Sequence, residues 1–156
     1  MIVANAALGS VIFSGRATAS DPTGALYWSS EDIKNIEKAL APKVDKESGA
    51  ADNRLMMQKS HNVLFFHRIK DGVPEIHQKL ADFMVIQGGE GAVLVGGKIS
   101  GEKPSGPDEI RGTGLEGGMK YSLHAGDVLY IPANIPHRTL VEAGKHLDVM
   151  VIKVQP

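Results

Sequence analysis

Two stretches of the chain hold side chains able to do chemistry. The first, Glu75-Ile76-His77-Gln78-Lys79-Leu80-Ala81-Asp82, runs straight into the apolar segment Phe83 to Ile86 and the turn Gly88-Gly89-Glu90-Gly91. The second begins with the glycine turn at Gly126 and crosses the apolar run Val128 to Ile131. It then enters the stiffened turn Pro132-Ala133-Asn134-Ile135-Pro136, which delivers His137. No cysteine is present. Disulfides, thiolate metal sites and cysteine nucleophiles are therefore excluded together, and His, Asp and Glu are left as the strong metal ligands. The available imidazoles are His61, His67, His77, His124, His137 and His146.

The elements that must position these residues are mostly short strands. From Leu55 onward, apolar runs alternate with turn residues in the manner of an antiparallel all-β domain: Val63 to Ile69, Asp82 to Gln87, Ala92 to Val95, Met119 to Leu123, Val128 to Ile131, Arg138 to Glu142 and Leu147 to Val154. Asp71-Gly72 is a hairpin signal, and Gly88-Gly89, Gly96-Gly97 and Ala143-Gly144 mark further turns, because glycine reaches positive φ at little cost. Closing such a sheet on itself removes the edges that many short strands would expose. One segment reads as helix, over about 30–41. Ser29 serves as N-cap with Asp32 at N3, Trp28 and Ile33 take the staple positions, Ile33, Ile36 and Leu40 share a face, and Pro42 stops it. Residues 42–53 read as a solvated connector, and Ser100 to Gly118 as a long loop between two halves of the β region. Within that loop Gly112-Thr113-Gly114-Leu115-Glu116-Gly117 matches G-x-G-x-x-G, but neither the preceding strand nor the following helix of a dinucleotide site is there.

Together the two stretches resemble the paired motifs of the cupin superfamily. The family's second pattern, G-x5-P-x-G-x2-H-x3-N, is met at Gly126, Pro132 and His137, with Asn134 for the middle glycine and Val141 where the final Asn would stand. Asn is the residue that best replaces glycine in left-handed geometry. The first pattern, G-x5-H-x-H-x3,4-E-x6-G, is met at His77 and, with Asp for Glu, at Asp82 followed by Gly89. Lys79 takes the second histidine position, one residue nearer the acid than the pattern asks, and Gly72 lies one residue too near His77. The resemblance spans about Val63 to Val154. It implies an all-β fold, a cupin-like double-stranded β-helix (jelly-roll) barrel over 55–156. Residues 1–54 would form an N-terminal arm, the short helix and a connector.

The resemblance also implies a divalent metal held by His77, Asp82 and His137. Such a two-His, one-carboxylate face with open positions suits non-haem Fe and is tolerated by Mn, Ni or Zn. Lys79 either faces solvent, acts as a general base, or pairs with Asp82 and takes the metal's electrostatic place. His67 lies ten positions before His77 across the Asp71-Gly72 turn, so it is either a fourth ligand or an ordinary half-buried strand histidine. Tyr130 reaches the cavity with its hydroxyl or is a core tyrosine. Arg111 and Glu116 meet a substrate if the glycine-rich loop folds over the barrel mouth. His61, His124 and His146 read as surface or structural residues.

At 156 residues with 42% hydrophobic and 22% charged, the chain fits one compact domain. The 17 basic and 18 acidic residues nearly cancel and aromatic content is 5%, so neither a basic footprint nor a stacking platform for nucleic acid is present. No apolar window is long enough for a membrane helix. A cytoplasmic location is the default, with export and cleavage after Ala19 as the alternative. Cupins are commonly dimers, and pairing of Ile2 to Phe13 across a neighbour would fit a homodimer by analogy. Two functions remain open: a metal-dependent enzyme on a small organic substrate, with Lys79 or Tyr130 assisting proton transfer, and a cupin that binds or senses a small molecule without turnover.

Overall fold

The computed structural model describes residues 23–156. The arm expected over Ile2 to Phe13 and the cleavage position after Ala19 lie outside these residues. Helix α1 (Ser30–Leu40) begins as its sequence dictates. The Ser29 hydroxyl accepts from the Asp32 amide at 3.1 Å and the Ser29 amide donates to the Asp32 carboxylate at 2.9 Å, a capping box that satisfies two otherwise orphaned donors. A 3-10 turn over Ala41–Lys43, carrying Pro42, ends it.

Twelve strands follow: β1 (Ala50–Met57), β2 (His61–Arg68), β3 (Glu75–His77), β4 (Ala81–Val95), β5 (Lys98–Ser100), β6 (Lys103–Gly106), β7 (Glu109–Arg111), β8 (Gly114–Glu116), β9 (Met119–His124), β10 (Val128–Ile131), β11 (His137–Leu140) and β12 (Leu147–Val154). The 15-residue β4 is the spine. Its first half pairs with β12 and β10, its second half with β9 and β11. The chain bends between those halves, so the antiparallel order β1-β2-β12-β4-β11-β3-β7-β6 folds over on itself into a roll. A bulge marks the bend: Asp148 faces Gly88, the next residue Val149 faces Ile86, and Gln87 is left over.

Three local expectations are revised. β1 starts at Ala50, inside the stretch that reads as connector. Ala51, Asn53 and Leu55 bury one face of the strand, but small and polar side chains make that alternation faint in the sequence. Ser100 to Gly118 is not one irregular loop. β6 and β7 pair as a hairpin and β5 and β8 form a separate ribbon, so, contrary to the expectation, a strand, β7, does directly precede the G-x-G-x-x-G run, which itself contains β8 and has no helix after it. Asp71-Gly72 does turn the chain, but it hands β2 in one half of the roll to β3 in the other instead of closing a hairpin. The turn is anchored across the roll: the Val141 amide donates to the Asp71 carboxylate at 2.9 Å and the Gly72 amide to the Thr139 carbonyl at 2.8 Å.

Two apolar clusters result. Met84, Ile86, Val93, Leu123, Ile131, Leu147, Val149 and Val151 fill the inside of the roll. Ile36 and Leu40 of α1 cover Ala51, Leu55 and Phe65 on the outer face of β1 and β2. Because side chains alternate along a strand, β2 and β12 are buried on both faces, and parity decides which residues look inward.

Candidate metal centre

Strand parity assembles the site. Glu75 and His77 are two apart on β3 and point the same way. His137, the first residue of β11, stands directly across from Glu75. Asp82, near the start of β4, is opposite Lys153 of β12. Glu109 of β7 faces His77. The proline-stiffened turn is itself tied to the first motif: Asn134 takes φ 65° and its amide donates to the His77 carbonyl at 2.7 Å. That left-handed residue therefore holds the two motifs in register.

The donor atoms converge. His77 Nε2 lies 3.4 Å from Asp82 Oδ2 and 3.9 Å from Glu75 Oε1, and His137 Nε2 lies 3.6 Å from Glu75 Oε1 and 3.7 Å from Asp82 Oδ2. His137 Nδ1 is 3.0 Å from the Ile135 carbonyl, which can only accept, so Nδ1 carries a proton there and Nε2 faces inward. His77 presents Nδ1 to Glu109 Oε1 at 3.0 Å and Nε2 to the centre. Outer partners of this kind fix ring orientation in metal sites. Lys153 completes the cluster, its Nζ 2.6 Å from His77 Nε2 and 3.0 Å from both Asp82 oxygens. At 2.6 Å the two nitrogens are within hydrogen-bond distance.

The charges depend on one another. Burial works to raise the Glu75 carboxyl, but the hydrogen bond and charge of His137, with His77 and Lys153, bring it down to about 2. Burial works to lower His77, yet Asp82 and Glu109 offset this and hold the imidazole up to about 9. Asp82 is lowered against its own burial by His77 and Lys153, and Glu109 is lowered chiefly by its hydrogen bond to His77.

These groups line a cavity of about 250 Å³ inside the roll. Met84, Leu147, Val149 and Val151 form an apolar wall, while Arg54 and Arg111 stand with Glu109 among the polar lining. Arg54 lies 3.8 Å from Asp52, and Arg111 has no ion-pair partner among the described residues.

Of the residues expected to do chemistry, the structure brings together His77, Asp82 and His137. Lys79 is elsewhere: its side chain is 64% exposed and its Nζ pairs with Asp108 at 2.9 Å. Tyr130 faces away as well. It is opposite Phe83 on the outer side of β4, the rings 4.8 Å apart, because Phe83 has the opposite parity to Asp82. His67 also points outward, hydrogen-bonded to Asp148 at 2.6 Å, since β2 pairs with β1 and β12 and not with β3. Arg111 reaches the cavity on β7, whereas Glu116 is on the separate β8 ribbon and does not line it.

Glu75, Glu109 and Lys153 are the members that sequence reasoning does not single out. Two of them leave a trace. Shifting the first motif back by two places Glu75 at the first histidine and His77 at the second, with four residues to Asp82 and six more to Gly89, a match that removes the short spacing. Lys153 is a charge in phase with the inward Leu147, Val149 and Val151 of one strand.

No family model matches the chain, and no curated protein matches it. Solved structures do. A Klebsiella pneumoniae protein with a double-stranded β-helix domain is 10% identical with a TM-score of 0.57, covering 84% of this chain and 90% of its own. A cupin-2 domain protein from Rhodospirillum rubrum is 14% identical with a TM-score of 0.50, over 68% of this chain and 60% of that one. A Streptomyces protein in complex with uridine is 8% identical with a TM-score of 0.51, over 71% and 73%. At these identities the likeness concerns the fold.

Proposed function

With the cupin double-stranded β-helix as its fold, we propose that this chain is a divalent-metal-dependent enzyme acting on a small anionic organic molecule inside the roll. The observation that carries the reading is the convergence of Glu75, His77 and His137 donor atoms within 4.8 Å of one another, with Asp82 Oδ2 3.4 and 3.7 Å from the two imidazoles. Donors about 2.1 Å from a tetrahedral ion stand about 3.4 Å apart, so these residues fit a first-row ion after a small contraction. Mixed imidazole and carboxylate donors suit Fe, Mn, Ni or Zn. A bound ion of this kind supplies Lewis-acid polarisation of an oxygen and a lowered pKa for coordinated water.

The chain's own residues supply the rest. Lining the cavity, Asp52, Glu75, Asp82 and Glu109 balance Arg54, Arg68, Arg111 and Lys153, so a divalent ion makes the pocket net positive. An anion would offset that charge, and the unpaired Arg111 with Arg54 suits a carboxylate, which a guanidinium engages through two parallel hydrogen bonds. The apolar wall of Met84, Val149 and Val151 keeps water from one side of the substrate. Lys153, released from His77, presents its Nζ as a proton donor toward the cavity. The reaction class stays open among oxygenase, isomerase, lyase and hydrolase chemistry.

Lys153 favours a second reading, a binding cupin without metal. Its Nζ already spans His77 and Asp82, so the ammonium can serve as a built-in cation. Metal content separates the two. Protein purified without chelator and loaded with Fe, Mn, Ni or Zn should hold one equivalent more than the His77→Ala/His137→Ala variant. Equal content in the two proteins would sink the enzyme reading and leave the binding one.

A further inference from the structure

A second group of donors lies on the outer face of β12, under helix α1. Asp148 is 0% exposed, a place where a carboxylate survives only with partners. Its Oδ1 has one, His67 Nδ1 at 2.6 Å. Its Oδ2 is buried with no hydrogen-bond partner. That oxygen looks toward His146 Nε2 at 3.3 Å, and the half-buried Glu37 of α1 brings a second carboxylate to the same place. Glu37, His146 and Asp148 each place a donor atom within 4.8 Å of the others.

The surrounding backbone is shaped to leave this space open. Gly88, opposite Asp148 at the bulge, has no side chain, and a Cβ there would stand 3.3 Å from Asp148 Oδ2 and 3.6 Å from Glu37 Oε1. Gly89, at φ +70°, lets the His146 carbonyl pass within 2.0 Å of where its own Cβ would be. The Glu90 amide then donates to that carbonyl at 2.8 Å, which fixes His146 beside the carboxylates.

We propose that Glu37, His146 and Asp148 form a second site, for a first-row divalent ion of the zinc class, with His67 orienting Asp148 from behind. Two carboxylates that share a site repel unless a proton or a cation lies between them, and a cation takes in the His146 nitrogen as well. One imidazole among the donors points to a transition ion, since Ca²⁺ and Mg²⁺ prefer all-oxygen shells. The 3.3 Å between His146 Nε2 and Asp148 Oδ2 equals, within its precision, the roughly 3.4 Å edge of a tetrahedral zinc shell. His146, with 48% of its side chain exposed, gives the ion a way in. The site joins α1 to the bend of the roll, so its effect is to hold the helix in place. It does not depend on whether the barrel centre binds metal.

The test uses the full chain with the barrel centre blocked by His77→Ala/His137→Ala, and Zn²⁺ alone as probe. Equilibrium dialysis followed by elemental analysis should find one equivalent on this protein and none after adding His146→Ala, a half-exposed position outside the apolar core. Glu37→Gln, which keeps size and removes charge, should weaken zinc binding at least tenfold. Zinc should raise the melting temperature of the blocked protein and leave that of the His146→Ala version unmoved. Equal zinc content with and without His146 would overturn the proposal, as would failure of the blocked protein to bind zinc at all.

Discussion

Lys153 and Asp82 are cross-strand partners on β12 and β4, and the lysine Nζ sits 3.0 Å from both carboxylate oxygens while touching His77 Nε2 at 2.6 Å. An ammonium and a divalent ion therefore compete for the same lone pairs. Lys153→Met, which keeps the stem and removes the charge, should raise metal affinity about tenfold or more, measured by competition with a chromophoric chelator. In metal-free protein the same change leaves Asp82 with His77 as its cationic neighbour, and losing the hydrogen bonds of one charged partner costs about 1.5–3 kcal/mol. Urea denaturation after chelation measures that loss.

The pH dependence of the chelated protein follows from two shifts of opposite sense. Glu75 is lowered to about 2, so its contribution is present above the unfolded carboxyl value near 4.3 and is lost as pH falls toward about 2. His77 is raised to about 9, so its contribution is complete below the unfolded value near 6.5 and is lost as pH rises through about 9. Glu75→Gln should flatten the acid limb of the stability curve and His77→Gln the alkaline limb, each read from melting temperature against pH.

Metal uptake at the barrel centre should run the other way. An imidazole binds metal only without its proton, and His77 holds that proton up to about 9. Apparent affinity should climb steadily between about pH 6.5 and 9. A flat profile from isothermal titration would remove His77 from the ligand set.

Arg111 and Arg54 are the cavity cations offered to a substrate anion. Screening small carboxylates by thermal shift on metal-loaded protein should yield ligands whose affinity falls about tenfold in Arg111→Ala, since a charge-assisted hydrogen bond contributes about 1.5–3 kcal/mol. The loss should shrink as salt rises. Neutral analogues of the same ligands should show no difference between the two proteins.

Away from the site, Ser29→Ala removes half of the capping box and should cost about 1 kcal/mol. Phe65, fully buried between α1 and the sheet, should cost about 3–5 kcal/mol when cut to Ala. Both are read from urea midpoints.

Much of this could be read before the structure was known. The helix declared itself through Ser29, Asp32 and Pro42, and strong apolar runs marked β2, β10 and β12; β4 reads as two strands, Asp82 to Gln87 and Ala92 to Val95, because Gly88-Gly89 signals a turn where the structure has one continuous bent strand. The proline-stiffened turn before His137 was equally plain. β1 and β5 to β8 were not, because glycine, proline and small polar residues carry little periodic signal and depend on neighbours for their pairing. At the site, His77, Asp82 and His137 stood out as residue types. Glu75 was hidden by being a carboxylate where the pattern has an imidazole, and that displaced the reading onto Lys79. Lys153 shares its cluster with residues some 70 positions away, and only the pairing of β12 with β4 brings them together.

The unpaired Gln87 opposite the Asp148 to Val149 step has a further bearing on how the molecule can err. Because strand side chains repeat every two residues, a slide of β12 by one position would turn Lys153 out toward the helix layer and swing Asp148 into the hollow of the barrel. Both ionic clusters would be dismantled in a single misthreading. One surplus residue thus acts as the notch that keys the two halves together.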